Sequence, residues 1–162
     1  MFAELGQVMS AVNALSYAIH LLFAGLWTGS VLFVSYAVLP AATDGRLNAG
    51  PLSDVAGKLA TVSRASALLL LVTGAHLGVI RYTVGSLTGS VSGYLVVAMI
   101  VLWLALAGLV EVGTSRLTDG AERNKVREPA RTARPLLLGA SLVSVLLLVD
   151  SGLLIAANLG LL

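Results

Sequence analysis

Four apolar stretches, each long enough to cross a bilayer as a helix, occupy most of this chain, near residues 10–39, 62–82, 92–115 and 135–160. About 20 helical residues span the hydrocarbon core of a membrane. Composition decides whether these stretches face protein or lipid. Of 162 residues, 57% are hydrophobic and 11% charged, whereas soluble domains carry about a quarter charged residues. A soluble chain this short has too much surface for its volume to hide that apolar content. The runs are also continuous, while the strands of a membrane barrel alternate with period two. The sequence therefore predicts an all-α fold, an integral membrane bundle of four transmembrane helices that forms one domain over residues 1–162.

Helix punctuation and charge set the expected layout. The first stretch is expected to end at Pro40, ahead of the turn-rich Thr43-Asp44-Gly45. The second is expected to start before the membrane, because Pro51-Leu52-Ser53-Asp54 reads as a helix start. Gly85, Gly89 and Gly93 mark a short second connection, and Pro129 suits the first turn of the fourth helix. Of the 10 lysines and arginines, all but Arg81 fall in or beside the first and third connections. That bias predicts segments 41–61 and 116–134 on the cytoplasmic side of a cell membrane, with both termini outside. Tyr17, Tyr82 and Tyr94 then fall in an outer aromatic belt. The same asymmetry accounts for the basic residues without a nucleic-acid partner. Glu4 and the lack of a basic leader segment read against a signal peptide. With no cysteine in the chain, disulfides, thiolate metal sites and iron–sulfur clusters are excluded.

Ionisable residues at membrane depth are costly and mark functional sites by default. Four qualify here: His20, His76, Glu111 and Asp150. At 1.5 Å of rise per residue, His20 lies roughly 7 Å, His76 and Met99 roughly 6 Å and Asp150 roughly 3 Å outside the midplane. Each helix thus brings one polar or ligating group to a shared band in the outer leaflet. Glu111 falls nearer the cytoplasmic end and is expected to be interfacial, close to Arg116.

His20 and His76 are the chain's two histidines, and bundles hold cofactors between side chains of facing helices. The first reading is a heme b ligated by both, with Gly74, Gly78 and Trp27 around it and Thr73 or Asp150 fixing an imidazole tautomer. Such a protein transfers electrons to or from a quinone or another redox partner. The second reading is copper handling through His20, His76 and Met99, with Asp150 as a further donor. Against it, a transport path needs several sites, and the methionines are Met1, Met9 and Met99 alone. The third is an accessory subunit in which both histidines serve packing. Gly25-Leu26-Trp27-Thr28-Gly29 and Gly74-Ala75-His76-Leu77-Gly78 are small-xxx-small patterns that permit close helix approach or a homo-oligomer. No phosphate loop, nucleophile elbow or zinc-protease motif points to an enzyme.

The run His20-Leu-Leu-Phe-Ala-Gly-Leu-Trp27-Thr-Gly29, leading to Val38-Leu39-Pro40, resembles the first helix of the copper-resistance protein D family. That family shows a histidine, a tryptophan-x-glycine about seven residues on, and a later proline. The membrane-bound protoporphyrinogen oxidases, which bind heme b, have a similar opening. Thr73-Gly74 followed by His76 resembles an element of the next helix in such proteins. The resemblance implies copper handling or a heme-binding membrane redox protein, with His20 as its best-supported site residue.

Overall fold

The computed structural model describes residues 2–161, with side-chain surroundings described from Gly6 on; Met1 and the side chain of Glu4 lie outside the described residues. Among them every regular element is helical. Helix α1 (Phe2–Phe33) passes through a π-helical turn (Val34–Val38) into α2 (Leu39–Thr43); α3 is Ala49–Val79, α4 Val84–Gly89, α5 Val91–Glu122 and α6 Arg127–Asn158. Four continuous helical stretches are long and apolar enough to cross a membrane: Gly6–Thr43, Ala49–Val79, Val91–Glu122 and Arg127–Asn158.

The helices extend past the apolar windows at the basic end. Most of segments 41–61 and 116–134 is helical, and the true connections shrink to residues 44–48 and 123–126. Pro40 does not end the first helix. A proline lacks the N–H its turn needs, and its ring clashes with the carbonyl four residues back. The chain absorbs this by widening into the π-helical turn, where the Leu39 N–H bonds to Val34 O, and helix then continues to Thr43. Ser35 in that turn donates to Leu137 O on α6 at 2.9 Å, which ties the two helices together. At the other end, Thr83 and Ser86 cap each other around the start of α4. Ser90 caps α5 by accepting from the Gly93 N–H.

The helices form a ring. α3 packs between α1 and α5, α6 packs along α5 and closes against α1, and α1 and α5 face each other across the bundle. The buried apolar side chains run from Trp27 to Ala42, Leu52 to Leu59, Leu106 to Ala121 and Ala130 to Ala140. All of these lie in the half of the bundle nearest the basic residues. Toward the opposite end the packing opens, and α4 folds over the gap against α5.

Arg64 on α3 holds the Glu111 carboxylate on α5 through both Nε and Nη2, the first at 3.0 Å. Glu111 is therefore bridged to a neighbouring helix, not to Arg116. Arg116 instead donates to Thr132 O on α6 at 3.1 Å.

Candidate functional site

His20 projects from α1 onto α3 with a fixed hydrogen-bond polarity. Its Nδ1 lies 2.8 Å from Thr73 Oγ1. Thr73 Oγ1 also lies 2.6 Å from Leu69 O, one turn back on its own helix. Leu69 O is the closer of the two partners of the Thr73 hydroxyl and can only accept, so the hydroxyl proton is assigned to it. The hydroxyl oxygen then accepts from His20, whose Nδ1 carries the hydrogen in this tautomer. This leaves Nε2 as the bare, lone-pair nitrogen, with no protein partner among the described residues. The ring is also seated sterically, since a methyl at Gly74 would come within 3.2 Å of His20 Cε1. Glycine at 74 lets the imidazole lie against the backbone of α3.

His20 lines a cavity of about 480 Å³ at the open end of the bundle. Trp27 and Leu106, both 1% exposed, form the boundary with the packed core. Ala24 and Thr28 of α1, Gly74, Ala75 and Gly78 of α3, Met99 and Trp103 of α5, and Leu147 and Ser151 of α6 line it as well. Tyr82, Val84 and Leu87 close it from the α4 side. The walls are mostly aliphatic and aromatic. The indole Nε1 atoms of Trp27 and Trp103 are sealed from solvent without a hydrogen-bond partner. One bare imidazole nitrogen on a mostly apolar wall with a few polar side chains fits the general pattern of a small-molecule or cofactor site.

The sequence-predicted residues divide. His20, Gly74, Gly78, Trp27 and Met99 all line the cavity; His76 and Asp150 do not. His76 is three residues beyond Thr73, about 4.5 Å further along α3. Its Nε2–H donates to Asn13 Oδ1 on α1 at 2.9 Å. The α1–α3 seam is thus pinned by two cross-helix bonds, His20 to Thr73 and His76 to Asn13. Asn13 was not singled out in the sequence, although it was findable. It is a polar residue in an apolar run, seven residues before His20 and so on the same helical face.

Asp150 is 7% exposed, and its Oδ2 has no hydrogen-bond partner. Ser144 and Ser141, earlier on α6, are engaged with that helix's own backbone: Ser144 donates to Ser141 O, and Ser141 to Leu137 O. An unsatisfied buried polar group costs about 1–3 kcal/mol. Asp150→Leu is accordingly expected to raise the thermal midpoint of the detergent-solubilised protein. A lower midpoint would mean that the carboxyl has a stabilising partner.

At the open end Arg81 lies over the Tyr17 ring, 5.2 Å from its centroid. Tyr82 OH bonds with the Asn158 amide at 3.3 Å. The tyrosines predicted for an aromatic belt therefore gather at one end, opposite the basic cluster.

No three His, Cys, Asp or Glu side chains among the described residues come together as a metal-ion site. No family model matches the chain, nor does any curated protein or solved structure.

Proposed function

We propose that this chain is a membrane cytochrome b-like electron carrier, with a heme in the cavity at the open end and His20 Nε2 as an iron ligand. The hydrogen-bond state of His20 carries this reading. Metal-ligating histidines characteristically donate their other ring N–H to a fixed acceptor, which sets the tautomer and the ring orientation. Donation from Nδ1 to Thr73, itself tethered to Leu69 O, is that arrangement, and it presents Nε2 for ligation.

The donor set favours heme over a bare ion. Copper or zinc draws most of its ligands from the protein; no three His, Cys, Asp or Glu side chains come together among the described residues, and of the His20, His76 and Met99 set His76 is off the cavity wall. A porphyrin supplies four nitrogens of its own and asks the protein for one or two axial ligands. The small residues Ala24, Ala75 and Gly78 on the wall leave room for a flat ring, and the apolar lining suits its faces. Arg81, next to the lining residue Tyr82, is the basic residue at that end and would meet the cofactor's carboxylates. Bound there, a heme supplies one-electron chemistry. The protein's part is to hold the ring, fix the His20 tautomer and exclude water. A lipid-soluble quinone or a partner at the outer face would exchange the electrons, in a plasma membrane with the basic end cytoplasmic. The likeness of the first helix to copper-resistance D proteins and to heme-b-binding oxidases supports His20 as the anchor.

A 400–600 nm absorption spectrum of the protein purified in mild detergent tests this. A Soret band at one heme per chain is expected. Monodisperse, helical protein that shows no Soret band, even after incubation with heme, would overturn the proposal.

A further inference from the structure

Building on the heme reading, we infer that the second axial ligand is Met99, reached across the bundle from His20, and that His76 is a structural residue of the α1–α3 seam. The first ground is the side on which His20 is closed. Its ring rests against α3 so tightly that a methyl at Gly74 would come within 3.2 Å of Cε1. No planar ring fits between His20 and α3, the helix that carries His76.

The second ground is spacing. Packed neighbouring helices lie about 8–10 Å apart. Two imidazoles with a metal between them, at about 2 Å per metal–nitrogen bond, need more room than an adjacent pair such as α1 and α3 leaves. Helices that face each other across a four-helix ring stand about 12–14 Å apart, the diagonal of that spacing. The helix facing α1 in this way is α5, and α5 carries Met99.

The third ground is the state of the donors. His76 Nε2 is already committed to Asn13 Oδ1 at 2.9 Å, and His76 is not on the cavity wall. Met99 is on the wall, and its thioether has no competing hydrogen bond to give up. Of the other polar groups on that wall, the indoles of Trp27 and Trp103 are donors only and cannot ligate iron, the Tyr82 hydroxyl is paired with the Asn158 amide, and the alcohols of Thr28 and Ser151 are not among the axial ligands heme iron takes. A histidine–methionine pair favours the reduced iron and raises the potential relative to two imidazoles. The predicted protein is therefore a relatively high-potential carrier.

The experiment compares the heme-loaded wild type with Met99→Leu, Met99→His and His76→Ala by electron paramagnetic resonance, magnetic circular dichroism and redox titration. Wild type is expected to show imidazole–thioether signatures. Met99→Leu, a volume-conserving swap that keeps the packing, is expected to keep its Soret band, lose the thioether signature, gain cyanide binding and shift to lower potential. Met99→His is expected to convert the spectrum to the bis-imidazole type and lower the potential further. His76→Ala is expected to keep the wild-type spectrum and potential. A wild type with bis-imidazole signatures that His76→Ala abolishes would overturn the inference while leaving the heme reading intact. So would a Met99→Leu spectrum identical to wild type. Absence of any Soret band in all four proteins would instead remove the heme reading and this inference with it.

Discussion

His20→Ala is expected to abolish cofactor retention: the purified variant should be helical and monodisperse but colourless. His20 supplies the one bare imidazole nitrogen on the cavity wall, so nothing else there replaces it. The fold should survive the change, because His20 is outside the packed core and the basic half of the bundle holds the helices together. Thr73→Val refines the test. It keeps the shape of the side chain but removes the oxygen that accepts from His20 Nδ1 at 2.8 Å. The ring can then rotate or change tautomer, and Nε2 is no longer held toward the cavity. Loss of such an outer partner typically lowers metal-centre affinity by about 10–100-fold, so Thr73→Val is expected to bind heme but release it faster to an acceptor such as apomyoglobin. Serine at 73 should restore retention, since it keeps the hydroxyl. A His20→Ala protein that holds heme as wild type does would show that the cavity binds it by another residue. A Thr73→Val protein with unchanged release would show that the Thr73 contact has no positioning role.

The bundle was legible in the sequence because its signal is one-dimensional. Lipid demands long uninterrupted apolar runs, and these four runs are visible without any knowledge of partners. Helix starts were legible from punctuation: Pro51-Leu52-Ser53-Asp54 and Pro129 mark the beginnings of α3 and α6 to within a few residues, well before the apolar windows at 62–82 and 135–160, which mark only where lipid would be. Pro40 does not end the helix because the turn before it, Val34–Val38, widens, and Ser35 in that turn bonds Leu137 O on the neighbouring α6.

The candidate site was half legible. His20, Gly74 and Thr73 could be marked from residue type and position. Counting rise per residue put His20 and His76 at one depth, but depth says nothing about azimuth, and the direction in which each ring points is set by helix packing. The seven-residue step from Asn13 to His20 and the three-residue step from Thr73 to His76 carried that information jointly, as two complementary pairs on one antiparallel seam. The cavity itself has no sequence signature. It exists because α4 and the upper ends of four helices leave space that the core residues around Trp27 and Leu106 do not fill.

The second large effect concerns the half of the molecule that does the holding. Gly120, near the end of α5, faces the first turn of α6 so closely that a methyl there would overlap Cγ and Cβ of the Pro129 ring. A long flexible side chain could swing away from such a clash; a proline ring is tied to its own backbone and cannot. Gly120→Ala must therefore push α5 and α6 apart just before their short connection, at the point where Ala121 and Ala130 are buried. Overpacking of this kind costs about 1–3 kcal/mol, more than the gain of under about 1 kcal/mol from replacing a helical glycine by alanine. Gly120→Ala is expected to lower the thermal midpoint clearly. Gly108→Ala, on the same helix and off the cavity wall, where no atom lies within 4 Å of the added methyl, should leave it unchanged or slightly raised. The two glycines are equally helical, so any difference between them measures packing alone. Gly120→Ala should also leave the absorption maximum of bound heme where it is in wild type, since the site lies at the opposite end. Equal midpoints for the two variants would show that the α5–α6 hairpin relaxes freely, and that the tightly packed half is not what fixes the geometry of the open one.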